Sequence, residues 1–263
     1  MIESLPEQDW PRLWLDELPI GRLAPGHREA VLPLLASHAA LVDGELRWRP
    51  PEAERSPLIQ AAALALRDRG LIRGWRGEAY ACEAPMADPC TERGAELFRL
   101  ERAAFRFFGL MSRAVHINGW WPDARMLCGR RALSKATDPG KLDNLAAGGL
   151  SAGEAPLDCA RRELWEEAGV PPALSRDLQS AGVLRSCRVV PGEGLHDEVL
   201  HIYRLCLPAH FMPSNQDGEV AEFLALEPAA LRARLAAGEF SPDAGLVLVH
   251  ELAACRESGE PQA

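Results

Sequence analysis

Residues 160–170 read ARRELWEEAGV, and the acids among them, Glu163, Glu166 and Glu167, fall at i, i+3 and i+4. At about 100° per residue the three carboxylates share roughly a 100° arc of a helix. Like charges at such spacings each cost a helix about 0.2–0.5 kcal/mol, with no opposite charge among the three to offset it. A bound cation would remove that cost. Hard carboxylate oxygens favour Mg²⁺ or Mn²⁺, ions that keep waters and bridge to substrate phosphates. A solvated acidic face would show the same three residues, so their setting has to decide.

The helix that must carry them is marked by its own sequence. Pro156 suits the first turn and Gly169 the left-handed position that ends a helix. Leu157, Ala160, Leu164 and Ala168 form a neighbouring apolar stripe, which predicts a helix pinned to a core with its carboxylates aimed away from it. Counted from Gly148, the order is Gly, five residues, Glu154, seven residues, Arg162-Glu163-Leu164, one residue, Glu166-Glu167, one residue, Gly169-Val170. Every defined position of the Nudix box is filled, and from about residue 111 to 256 the chain resembles the Nudix hydrolase family. The resemblance implies an α/β/α sandwich on a mixed sheet and a loop, helix and loop that binds divalent metal and cleaves a diphosphate linked to another moiety. It implies Glu163 and Glu167 as principal metal ligands and Glu166 as a further or water-mediated one. Arg162 would orient a carboxylate, Ala147 would offer a backbone carbonyl to metal, and Glu154 would stand behind the ligands. For the general base, NQDGEVAEF offers Asp217, Glu219 and Glu222. Glu219 opens the predicted strand and ranks first, with a solvated turn acid as the equal alternative.

The stretch before the box narrows the substrate. VHINGWW (115–121) and CGRRALSKATDPGKLDNLAAGG (128–149) are similar to the Nudix subfamily fused or related to thiamine pyrophosphokinase. IGRLAPGHREAVL and ELFRLERAAFRFFGL resemble the extra domain that precedes the Nudix domain there. This implies hydrolysis of thiamine diphosphate, or its oxidised analogues, to the monophosphate as a clean-up activity. Arg130, Arg131 and Lys135 would supply positive charge to the diphosphate, although each also reads as an ordinary strand-end or loop cation. Only Lys135 and Lys141 are lysines, the remaining Lys/Arg positions being arginine. Trp120 or Trp121 could stack on a heteroaromatic ring, but a strand tryptophan is more often core, and His116 reads as a satisfied core histidine. Nucleoside diphosphate derivatives are the alternative substrates. A Nudix-fold regulator that binds without turnover is a second class, and an isoprenoid diphosphate isomerase a third. The third is disfavoured because the hydrolase box is complete and no paired Cys/Glu acid-base set is evident.

At 263 residues the chain is long enough for two compact units. The predicted class is α+β: an accessory domain over 1–110 and a Nudix domain over 111–263. Helices are expected over 27–40, with Val31, Leu34, Leu35 and His38 on one face, and over 57–71 and 95–110, with strands over 45–49 and 77–84. Beyond 111 the texture turns to strands over 112–121, 124–132, 142–150, 181–190, 198–207 and 219–226, with helices over 155–168, 228–239 and 243–255 and a polar tail. The N-terminal unit shows no polar cluster and is expected to act as a lid or dimer-forming element. A net charge of −9, acidic in both halves, argues against nucleic acid as a main partner unless metal bridges the charges. Nothing approaches the roughly 20 apolar residues of a membrane span, and the acidic start is unlike a signal peptide. Seven cysteines without a CxxC pair read as small buried thiols in a reducing cytoplasm.

Overall fold

A computed structural model describes residues 10–257, so the far end of the polar tail lies outside the described residues. Contacts divide the chain into two units. One runs from the N-terminus through Ser112 and takes in Ser151–Gly153 and Arg185–Val199; the other holds Arg113–Leu150, Glu154–Leu184 and Leu200 onward.

In the first unit β1 (Arg12–Leu15) and β2 (Leu18–Arg22) form a hairpin whose pattern is too short to announce itself in sequence. The helix expected over 27–40 stops early, as α1 (His27–Leu35), and His38 lies beyond it. Asp43 and Gly44 both adopt positive φ, the turn that closes a tight hairpin, so Ala39–Val42 (β3) folds back on Glu45–Trp48 (β4) instead of extending the helix. These strands make a sheet in the order β2-β1-β4-β3, with β1 parallel to β4. The expected second helix is α2 (Arg55–Asp68), with Ile59, Ala62, Ala63 and Leu66 buried beneath it.

The third expected helix, over 95–110, is overturned in its first half. Ala79–Glu83 (β5) pairs with Glu96–Glu101 (β6), and only Phe105–Phe108 (α3) is α-helical before Gly109 turns left-handed. ELFRLE alternates, burying Phe98 and Leu100, and the buried Glu101 carboxylate accepts the N–H groups of Arg76, Gly77 and Glu78 at 3.0, 3.0 and 3.1 Å. A carboxylate holding three backbone donors fixes the strand against a helical alternative.

The stretch from Met111 onward, whose β7, β11 and β12 include residues of the first unit, follows its sequence pattern closely. Its elements are β7 (Met111–Trp120), β8 (Met126–Arg131), β9 (Leu142–Asp143), β10 (Ala146–Gly149), α4 (Pro156–Ala168), α5 (Pro172–Ser175), β11 (Gln179–Val190), β12 (Gly194–Cys206), β13 (Val220–Leu226), α6 (Pro228–Ala236) and α7 (Pro242–Glu257). The run expected as one strand over 142–150 is split into β9 and β10 by Asn144 and Leu145. The sheet runs β11-β12-β7-β8-β13, with β10 added on β7 and β9 on β8. Side chains alternate along β7: Val115 and Ile117 join Ala160, Leu164 and Ala168 of α4, whereas Ala114 joins Leu200, Ile202 and Val247 under α7. The sheet is covered on both faces, which makes the α/β/α layering the sequence anticipated. Among the described residues no helix is long and apolar enough to cross a membrane.

Candidate active site

The site is built on α4. Ala155 is extended, Pro156 opens the first turn, and Gly169 at φ 65° closes the last, its N–H bonding the Trp165 carbonyl at 2.9 Å. Cys159, Ala160, Leu164 and Ala168 are buried, while Leu157 stays at the rim.

The carboxylates do not all point away from the protein, as the stripe argument anticipated. Glu163 and Glu167 are only 8% and 6% exposed, and Glu166 alone is on the open side. What the helical wheel omits is β10. The Ala147 N–H donates to the Glu167 carboxylate at 2.9 Å, and a Cβ on Gly148 would overlap the Glu163 carboxylate, so glycine is required for this approach.

Two cations balance the acids. Arg162 forks onto Glu154 with Nε and Nη2 at 2.9 and 3.0 Å, and its Nη1 reaches Glu163 at 2.6 Å and Glu166 at 3.0 Å. One planar guanidinium thus bonds three carboxylates, where the resemblance implied that it would orient one. Lys135 extends from the 132–141 loop to place Nζ 3.4 Å from Glu167 Oε1 and in an ion pair with Glu219. Glu219, the acid ranked first in its loop, therefore reaches the box acids through Lys135. Asp217 instead accepts the Glu219 N–H at 2.8 Å, and Glu222 pairs with Arg130.

Arg130 and Arg131 are committed to protein acceptors. Arg130 also donates to the Gly140 carbonyl at 3.1 Å; Arg131 donates to Asp143 at 2.7 Å and to the Thr137 carbonyl at 2.8 Å. Together they hold the loop that presents Lys135. Asp143 and Asn144 escaped the sequence reading. Both are buried, and Asn144 bonds His116 Nδ1 at 2.8 Å and Asn118 at 2.6 Å, so His116 is a satisfied interior histidine. An adjacent acid and amide between Leu142 and Leu145, both fully buried, was the signal available. Trp120 donates to Glu251 at 2.9 Å, and Trp121 lies under the Arg125 guanidinium, so both have structural partners.

Residues 113–244, half of the chain, match the NUDIX domain family. The chain belongs to the Nudix family. It is 36% identical over 173 residues to Nudix hydrolase 24, chloroplastic, of Arabidopsis thaliana, covering 65% of this chain and 46% of that protein. It is also 32% identical over 182 residues to the isopentenyl-diphosphate Delta-isomerase of Streptomyces griseus, covering 69% of this chain and 90% of the isomerase. The crystal structure of DR0079 from Deinococcus radiodurans shares the fold at a TM-score of 0.51 and 22% identity, over 66% of this chain and 98% of that one. The chain spans about half the length of the Arabidopsis proteins it matches.

Within the Nudix box the donor set suits a hard divalent cation. Burial pushes the Glu163 carboxyl up to about 7 and Glu167 up to about 8, with Arg162 and Lys135 respectively pulling each back toward ionisation. Two neighbouring buried carboxyls, raised by burial that their cations only partly offset, gain most from a metal that favours their ionised forms. The thiol beside them does not compete: Cys159 is buried and donates to the Gly149 carbonyl at 3.4 Å. Burial holds that thiol far above its ordinary range.

Proposed function

We propose that the protein is a Mg²⁺- or Mn²⁺-dependent hydrolase of a small organic diphosphate, with thiamine diphosphate or its oxidised analogues cleaved to the monophosphate. The observation that carries this is the buried Glu163–Glu167 pair of α4, drawn against Ala147 and Gly148 and only partly neutralised by Arg162 and Lys135. Glu163, Glu167, Glu166 and the Ala147 carbonyl would hold the metal, which supplies polarisation of the phosphoryl oxygens and a water of lowered pKa.

The chain's own residues do the rest. Arg162 keeps Glu163 and Glu166 in one orientation through its fork on Glu154. Glu219 takes the proton from the attacking water, whose oxygen bonds to the terminal phosphorus. The bridging P–O bond then breaks, and the products are the monophosphate and orthophosphate. Lys135, on the loop that Arg130 and Arg131 fasten through Gly140, Thr137 and Asp143, meets the negative charge of the diphosphate. The thiamine assignment is supported by the similarity over 115–149 and in the N-terminal half; nucleoside diphosphate derivatives are the alternative.

The likeness to the Streptomyces isomerase favours a second reading, isomerisation of an isoprenoid diphosphate. The burial of Cys159 weighs against a thiol acid in that role. A panel of thiamine diphosphate, its oxo and oxy forms, nucleoside diphosphate derivatives and isopentenyl diphosphate, each with Mg²⁺, separates these. Orthophosphate and thiamine monophosphate are expected. An isomerised diphosphate with no phosphate release would overturn hydrolysis.

Residues 1–110 are proposed as an accessory domain that tunes substrate choice or pairs two copies, and 111–263 as the catalytic domain. The edge strand β3 exposes Leu41 and Val42, which suits pairing. Cys82, Cys128 and Cys159 are buried as expected, whereas Cys90 and Cys187 are half-buried and Cys206 is exposed, so the expectation of buried thiols holds only in part; the free thiols and the acidic chain suit a cytoplasmic enzyme with no nucleic-acid or membrane partner.

A further inference from the structure

Lys135 is one of two lysines in the chain, the other Lys/Arg positions all being arginine. A guanidinium would clamp two carboxylate oxygens at once, as Arg162 does, whereas an ammonium is a compact point charge on a flexible stem. The Lys135 side chain is only 11% exposed and faces two acids, Glu167 and Glu219. Of the two buried box acids, Glu163 is bonded by a guanidinium and Glu167 by this ammonium. The loop beneath it is fastened at both ends: the Ala132 N–H donates to the Glu219 carbonyl at 2.8 Å, and Arg131 ties Thr137 to Asp143. The stem can therefore swing while its base stays in place.

Resting on the reading of Glu163 and Glu167 as holders of a divalent cation, we propose that Lys135 is the site's own counter-cation. It neutralises Glu167 and Glu219 while no metal is held and yields Glu167 when a divalent ion binds. The two arrangements exclude one another, because like charges crowded onto one carboxylate within about 4 Å repel strongly in a water-poor site. The ammonium so released remains on its loop beside the acids, free to meet an anionic phosphate. Metal loading and phosphate binding are then coupled, each favouring the other through the position of one side chain.

The scarcity of lysine makes the test direct. Protein labelled with ¹³C at lysine Cε gives two side-chain signals, assigned with Lys141→Arg; Lys141 donates to the Gly238 carbonyl and serves as the control. On titration with Mg²⁺ the Lys135 signal should move with the same midpoint as calorimetric Mg²⁺ binding, while the Lys141 signal stays put. Mg²⁺ binding that saturates with Lys135 unmoved overturns the proposal. Lys135→Met should bind Mn²⁺ about tenfold more tightly than the unaltered chain, and equal or weaker binding also overturns it. Glu167→Gln separates the two claims. If that variant binds Mn²⁺ like the unaltered chain, the metal site itself is wrong. If it loses Mn²⁺ while Lys135→Met shows no gain, only the counter-cation is wrong.

Discussion

Glu163 and Glu167 are unusual less for being acidic than for being acidic and buried. Their folded pKa values, raised to about 7 and about 8 from 4.5, mean that the folded chain holds protons the unfolded chain has released. Stability from these groups is therefore fully present below about pH 4.5 and is lost as pH rises through 7 and 8. The melting temperature of chelated protein should fall over that window, and saturating Mg²⁺ should flatten the decline. A chelated protein with no such decline would contradict the burial argument. Arg162→Lys keeps a charge but loses the fork on Glu154, and should lower Mn²⁺ affinity by about 10–100-fold with the fold retained by circular dichroism. The residue types and spacing of this cluster were legible in sequence because the chemistry demands them. Its burial was not, because it depends on a glycine and a backbone N–H from another element.

That other element is β10, and its packing against α4 is what buries two of the three carboxylates of an otherwise solvated acidic face. Gly148→Ala would press a methyl group into the Glu163 carboxylate and displace it, and should weaken Mn²⁺ binding in calorimetry while leaving the fold intact by circular dichroism. In the N-terminal unit, Glu101→Ala would strand the N–H groups of Arg76, Gly77 and Glu78 and should cost about 2–4 kcal/mol. The box helix and the strands after 111 were legible from periodicity and from Pro and Gly punctuation. β6 was misread as helix because Leu97, Phe98 and Leu100 satisfy either period over so short a run, and the deciding contacts of Glu101 come from residues more than twenty positions away. The β1–β2 hairpin went unseen for a related reason, since strands of four and five residues carry too little alternation.

Across the whole molecule a net charge of −9 and a phosphate substrate look incompatible until the charge is located. Part of it is the box cluster itself, which is proposed to meet phosphate through a divalent metal and through Lys135. The first unit includes Ser151–Gly153, where Ala152 N–H bonds the Ala79 carbonyl at 2.8 Å and Ser151 bonds Glu78 at 2.8 Å. Deleting residues 1–105 should alter substrate preference or solubility; unchanged kinetics and oligomeric state would contradict the proposed accessory role. Phosphate release from the diphosphate panel, by unaltered protein and by Glu167→Gln, tests metal-dependent hydrolysis through Glu167. Release is expected only with Mg²⁺ or Mn²⁺, with a loss of more than about 100-fold in the variant; equal turnover by the two proteins would overturn the proposed hydrolysis.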